Sequence, residues 1–374
     1  MAKNRKPKKK KSASTLTSLW VSLTSILSLI GGTGVSGWVN PDLPVIGQIV
    51  ASVTSPPDES SPAPSTGPPS GMPGMQPVPQ PPAPGSRPPL ASISSTPAMP
   101  PPPPPAAPVP SSKPSDAVLI ASFNIQVFGE SKLAKREVVD VLARVVRMFD
   151  VVAVQEVRAK SDDVVPTFVK AVNADGSRYH WVIGPRLGRT VSKEQYTFIY
   201  DTTRIELDPS SPGTIADPGG RLHRPPMYAR FRTRAYPPEA AFTFWMVDTH
   251  TDPDEVPQEV DALADVFEVM QRARPDEDDV ILLGDLNAAP NQLGRIARIP
   301  NIGWAVSGTT TNTRRTKTYD NIIFARAATA EYTGRWGVLD LQSTFGLSLD
   351  QALQVSDHNP VWAAFSPWEA RRTQ

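Results

Sequence analysis

AFTFWMVDTH, residues Ala241–His250, is the stretch that decides how this chain is read. It is apolar over the length of one buried strand and stops on an acid and an imidazole, so a packed core meets polar chemistry at its C-terminal end. The same pattern recurs on both sides of it. VLIASF (Val118–Phe123) is followed by Asn124, VVAVQ (Val151–Gln155) by Glu156, and VILLG (Val280–Gly284) by Asp285 and Asn287, while Asp357 and His358 stand just ahead of PVWAAF (Pro360–Phe365). HWVIG from His180, QYTFIY from Gln195, MYARF from Met227 and NIIF from Asn321 are further runs of strand length. Lys132–Phe149 places Leu133, Val138, Val141, Leu142, Val145, Val146 and Phe149 on one helical face. Val164–Val172 reads as a second helix, and Val256–Met270, opened by Pro257, as a third. About nine strands and three or four helices over roughly 250 residues predict an α/β body of two packed sheets covered by helices, in one domain without internal repeats.

A single Asp after a strand is ordinarily a turn residue or a helix cap. Five strand ends that carry Asn124, Glu156, Asp248 with His250, Asp285 with Asn287, and Asp357 with His358 ask for a chemical reason. Oxygen donors without a thiolate suit a hard divalent cation; magnesium takes one or two protein carboxylates and leaves its other positions to water and phosphate. Glu156, Asp285 and Asp357 supply that charge. The chain has only four histidines, and two of them, His250 and His358, stand at these ends, where an imidazole serves as general acid or base near neutral pH. His180, inside a strand-like run, and His223, in a Gly/Pro-rich loop, read as packing or surface residues. With no cysteine in the chain, disulfides, thiolate zinc sites and a cysteine nucleophile are excluded.

FNIQVFGESK (Phe123–Lys132), VQEVR (Val154–Arg158), PRLGR (Pro185–Arg189), KEQY (Lys193–Tyr196), GDLNA (Gly284–Ala288), TYDNI (Thr318–Ile322) and SDHNPV (Ser356–Val361) follow one another in that order. The series resembles the endonuclease/exonuclease/phosphatase family, and FGESK and QEVR resemble its deoxyribonuclease I branch. The resemblance spans nearly all of 117–367. It implies a four-layer α-β-β-α sandwich, with two mixed sheets face to face and helices outside. It further implies a hydrolase, an endonuclease that cuts DNA, with RNA as a further substrate, and leaves 5′-phosphate ends. Glu156 would hold the metal, Mg2+ with Mn2+ or Ca2+ as substitutes, and Asn124, Asp285, Asn287 and Asp357 would complete or support its site. His250 would be oriented by Glu194 and His358 by Asp320. Arg224 and Asn287 would contact phosphate, Arg158 would enter the minor groove, and Arg314, Arg315 and Tyr319 would line the nucleic-acid path, the two arginines with Lys317 steering phosphate. A monomer is expected.

The chain also departs from that pattern. Gln126 stands where the family has an arginine, and Ser192 where it has a DNA-contacting tyrosine. The family's acidic, threonine-rich calcium loop is reduced to Thr309–Thr311 without the acid, so no structural calcium is expected there. Two other functions fit less of the sequence. A phosphatase or phospholipase of this fold, acting on a phosphoinositide or sphingomyelin, has no use for QEVR and FGESK, and a non-catalytic binding module on a stalk has none for two imidazoles and their acids.

Ahead of the body, residues 1–11 carry seven bases and no acid, and 12–40 are uncharged, with their most apolar part between Leu16 and Ile30. This predicts a signal peptide cleaved after a site such as Val35-Ser36-Gly37, or an uncleaved membrane anchor with its basic end inside the cell and the body exported. The alternative is a cytoplasmic polybasic tail. Residues 41–116 hold 24 of the 43 prolines between Pro56 and Pro114 and predict a disordered, polyproline-like stalk. Residues 117–368 are expected to form the catalytic domain and 369–374 a tail. Setting aside the 9 bases and 4 acids before residue 117 leaves 29 bases against 33 acids, a net charge of −4. Any phosphate binding by the body therefore relies on a few placed groups or a metal.

Overall fold

In the computed structural model, Val118 and Ile120 of the first strand face one apolar core while Leu119, Ala121 and Phe123 face another. A strand buried on both faces belongs to an inner layer, which is why it reads as one continuous apolar run. The structure describes residues 104–370; the expectations for 1–11, for 12–40 and for the stalk up to residue 103 lie outside the described residues. The order of elements is β1 (Val118–Phe128), α1 (Glu130–Leu133), α2 (Arg136–Arg147), β2 (Val151–Val157), α3 (Val164–Val172), β3 (Tyr179–Ile183), β4 (Gln195–Asp201), β5 (Ile205–Leu207), β6 (Gly213–Thr214), β7 (Met227–Thr233), β8 (Thr243–His250), α4 (Val256–Gln271), β9 (Val280–Asp285), β10 (Ile302–Trp304), β11 (Asp320–Ala325), β12 (Tyr332–Val338), α5 (Leu341–Phe345), α6 (Leu349–Val355) and β13 (Val361–Phe365).

One sheet runs β12-β13-β1-β2-β4-β3, the other β10-β11-β9-β8-β7-β5 with β6 beside β7. Each has one parallel pair, β1 with β2 and β8 with β9, and is otherwise antiparallel. Between the sheets lies a core that includes Phe198, Phe231, Phe244, Met246, Leu283 and Phe324. Outside the first sheet pack Val138, Leu142 and Val145 of α2 and Phe168 of α3. Outside the second pack Val260, Leu263, Phe267 and Met270 of α4. The result is the four-layer α-β-β-α sandwich.

Several elements differ from the sequence expectation. The described residues hold thirteen strands and six α-helices. The extra strands are three residues or fewer, or, in β12, interrupted by Gly334 and Gly337, which dilute the apolar alternation. The added helices, α5 and α6, are short and start on side-chain caps, Asp340 and Ser348. The single helix expected over Lys132–Phe149 is two pieces, α1 and α2, with buried Phe149 beyond the second.

The body also begins earlier and ends later than 117–368. The Ala107 amide donates to the Trp336 carbonyl at 2.7 Å, extending the β12 edge, and Ala107 and Val109 pack on the outer core. Lys113 donates to Asp201 at 2.6 Å and Tyr179 at 2.7 Å, and lies 3.5 Å from the fully buried Asp150. At the other end the Glu369 amide donates to Ala240 O at 2.9 Å. Proline-rich composition had marked 104–116 as stalk, yet one lysine and two apolar side chains dock it.

A chain starting at residue 117 therefore leaves Asp150 with Arg204 as its only ion-pair partner among the described residues. Asp150 stays paired with Arg204 and the Leu119 N–H, so the loss is that of the charge-assisted Lys113 contacts, on the order of 1–2 kcal/mol. Relative to a chain starting at 104, thermal unfolding is expected to fall by roughly 2–8 °C for a body of this size. Equal melting temperatures would show that the strap contributes nothing.

Candidate active site

The parallel pairs β1/β2 and β8/β9 bring four polar strand ends to one mouth: Asn124, Glu156, His250 and Asp285. In the second sheet His250 lies in register with Asp285. That closeness depends on Gly284, where a Cβ would come within 1.8 Å of the Thr249 carbonyl oxygen. In the first sheet the β1/β2 register shifts between Asn124 and Phe128, and Gln126, Val127 and Glu156 take positive φ values of 46, 50 and 64°. This conformation is costly for residues with a Cβ, and for a β-branched valine especially. It turns the Val127 amide onto Glu156 Oε2 at 2.8 Å and the Gln126 amide onto Asn124 Oδ1 at 2.9 Å.

Two imidazole–carboxylate pairs flank Asp285. His250 Nδ1 is 2.9 Å from Glu194 Oε2, and His358 Nδ1 is 3.0 Å from Asp320 Oδ2. Their Nε2 atoms converge on the same oxygen, Asp285 Oδ2, at 3.5 and 3.4 Å. Burial disfavours a charged His358, but Asp320 and Asp285 outweigh it and push its pKa up to about 10. Burial likewise works against ionised Glu194, yet the hydrogen bond from His250, with Arg224 and Arg158, holds it below the usual carboxylate range. Asp285, fully buried, is kept low by His358 and His250, whereas burial leaves Asp320 raised.

The Asn124 amide donates to Glu156 Oε1 and to Asp285 Oδ2, both at 3.1 Å, and so ties a carboxylate of each sheet to one point. Asp357 Oδ1 is buried without a hydrogen-bond partner. An orphaned buried carboxylate oxygen, with Glu156 and Asp285 as further oxygen donors, has the chemistry that suits a hard divalent ion. The ligand atoms of Asp285, Asp320 and His358 form a tighter group, all within 4.8 Å of one another. Those atoms already serve each other through the imidazole, and Glu156 is not among them.

Other expected residues sit differently. Asn287 is in a left-handed turn, φ 47°, with its amide nitrogens on Asp285 Oδ1 and Thr251 O, both at 3.0 Å. Arg224 is buried, and its Nε, Nη1 and Nη2 donate to His250 O, Glu194 Oε1 and Thr251 O at 3.0, 3.2 and 3.0 Å. These bonds brace Glu194 and the backbone that carries His250. Arg158, expected to reach outward, lies between Glu194 and Glu156, with Nη2 at 2.8 and 3.2 Å. Arg314 and Arg315 are exposed, though Arg315 pairs with Asp340 at 2.8 Å. The Tyr319 ring lies 5.8 Å from that of His358. Asp248 does not reach the mouth: it is fully buried, accepts from Gln155, and burial pushes its carboxyl far up. His180 is exposed and stacks on Trp181, while His223 is buried between Asp252 and the Arg189 amide.

Sequence reasoning missed two supporting groups. Lys132 is buried, and its ammonium donates to the carbonyls of Ile125, Gln126 and Val355 at 2.8, 2.5 and 2.9 Å, tying the β1 bulge to the segment before Ser356. Burial draws its pKa down to about 8. In the sequence it is only the last letter of FGESK. Thr311, weighed as the remnant of a calcium loop, instead donates its hydroxyl to Asp320 Oδ2 at 2.6 Å.

Residues 121–358 match the Endonuclease/Exonuclease/phosphatase family. Deoxyribonuclease-1 of Homo sapiens is 32% identical over 263 residues, covering 65% of this chain and 90% of that protein. Deoxyribonuclease gamma of Rattus norvegicus is 29% identical over 259 residues, 65% of this chain and 82% of that one. Among solved structures, a humanized D. rerio TDP2 has a TM-score of 0.49 at 14% identity, covering 67% of this chain and 100% of that chain. The family match and the similarity to these deoxyribonucleases span the segment that carries both sheets and the strand ends described above: the chain belongs to the endonuclease/exonuclease/phosphatase family, in its deoxyribonuclease I branch.

Proposed function

We propose that this protein is a divalent-metal-dependent endonuclease that hydrolyses DNA phosphodiester bonds to 5′-phosphate ends. The observation that carries the reading is the convergence of two carboxylate-held imidazoles on one oxygen of Asp285. In-line hydrolysis of a phosphodiester needs a proton taken from water on one side and a proton given to the leaving 3′ oxygen on the other. Two imidazoles facing each other across a gap provide both, and a binding module has no need of the second.

His358, held cationic by Asp320 and Asp285, is the donor to the leaving oxygen, and His250, aligned by Glu194, takes the proton from water. Glu194 and Asp320 fix each ring through Nδ1, so that Nε2 is the atom that exchanges the proton. Arg224 keeps Glu194 in place and ionised. Glu156, Asn124 and Asp285, with Asp357, would hold the divalent ion, Mg2+ in the first instance, which neutralises charge on the phosphoryl oxygens. The test is a substrate panel: supercoiled plasmid, single-stranded DNA, RNA and a phosphoinositide, each with Mg2+, Mn2+ or Ca2+ and with EDTA. Metal-dependent nicking of plasmid into ends that a 5′-phosphate-requiring ligase reseals is the expected result. Turnover of the phosphoinositide without nicking would replace this reading by the phosphatase one.

A further inference from the structure

Arg158 has a place that reading groove or phosphate does not explain. It leaves β2 two residues after Glu156 and folds back over the site, with only 28% of its side chain exposed. Nη2 bridges Glu194 Oε1, 2.8 Å away, and Glu156 Oε2, 3.2 Å away. Nη1 is held loosely, 3.5 Å from Ser192 Oγ. Among the described residues it is the only ion-pair partner of Glu156, whereas Glu194 also has Arg224 and His250. Glu156 is thus a carboxylate with one ion pair, to Arg158, with hydrogen bonds from the Asn124 amide and the Val127 N–H, and with the Lys132 ammonium acting on it at longer range.

We propose that Arg158 is a displaceable counter-cation. It balances Glu156 while the divalent ion is absent and is released toward the substrate backbone when the ion binds. The inference rests on the reading of Glu156 as metal anchor. The physical ground is competition: a guanidinium and a divalent ion both stabilise Glu156 electrostatically, and each repels the other at this range. Binding of the metal therefore weakens the Arg158 pair, and linkage requires that the pair weaken metal binding equally. Once released from Glu156, Arg158 keeps only its pair with Glu194, an acid that Arg224 and His250 already hold, and so offers a positive group to phosphate beside a body of net charge −4. Without metal it is spent on the two carboxylates.

The test is Mn2+ titration of the full-length protein by calorimetry, without nucleic acid, for wild type, Arg158→Ala, Arg158→Gln and Glu156→Gln. Both Arg158 variants are expected to bind Mn2+ more tightly, on the order of tenfold. Arg158→Gln keeps a polar side chain, shorter and without the charge, and melting curves of both variants beside the titrations exclude misfolding as the cause. Unchanged or weaker Mn2+ binding by both, with Glu156→Gln still losing the ion, would overturn this inference alone and make Arg158 an organiser of the site. Wild-type Mn2+ binding by Glu156→Gln would remove the metal anchor, and the inference with it.

Discussion

Glu156→Gln is expected to lower plasmid nicking by roughly 10³-fold or more, because a metal acting on phosphoryl oxygens supplies several kcal/mol of transition-state stabilisation. The fold should survive. Gln has the same shape, its carbonyl oxygen still accepts from Val127 N–H or the Asn124 amide, and the positive φ at 156 is no harder for Gln than for Glu. What goes is one negative charge, and with it the pair to Arg158. Wild type in excess EDTA should fall to the same residual rate, since both treatments remove the same ion. Nicking by the variant at the wild-type rate, with a normal melting curve, would end the metal-dependent reading.

His250→Ala and His358→Ala are each expected to lose about 10²–10⁴ in rate, the range for a positioned proton-transfer group. The double variant should lose far less than the product of the two, because both groups serve one transition state. Each ring is buried and leaves a carboxylate partner behind, Glu194 or Asp320. Melting curves must therefore accompany the rates. His250→Asn and His358→Asn keep a donor near those acids and serve as the folding controls. A single variant within a few-fold of wild type would take that histidine out of the chemistry.

The inner strands were legible because each is buried on both faces and so prints an unbroken apolar run; β1, β2, β8 and β9 were read to within a few residues. Their polar last residues were legible for the same reason, being the first to leave the core. Of the edge strands, β3 was legible as HWVIG, while β5, β10 and β12 escaped: β12 has glycines where a pleated surface would have packed, and its stability comes from Trp336 and from Ala107 outside the predicted body. The direction of a side chain was also hidden. Nothing in QEVR tells whether Arg158 leans out to solvent or back over Glu156, and nothing in VDTH tells that Asp248 turns into the core while His250 does not. The alternation of β8 does place 248 and 250 on one face, but their depth is set by the sheet above. Lys132 was invisible as a brace because its three partners are backbone carbonyls, which every sequence has.

The pairing of β13 with β1, Val118 opposite Phe365 and Ser122 opposite Val361, joins the two ends of the body. Asp357 and His358 lie immediately ahead of that last strand. During synthesis the chain therefore emerges from the ribosome with its first sheet open along one side of β1, one proton-transfer pair unfinished, and the Ile125–Gln126 carbonyls lacking the link through Lys132 to Val355. Contacts of such long range form late. A product that stops before residue 357 keeps Glu156, Glu194 and His250 but lacks His358, the second imidazole of the proposed mechanism, and lacks β13, the partner that closes one side of β1.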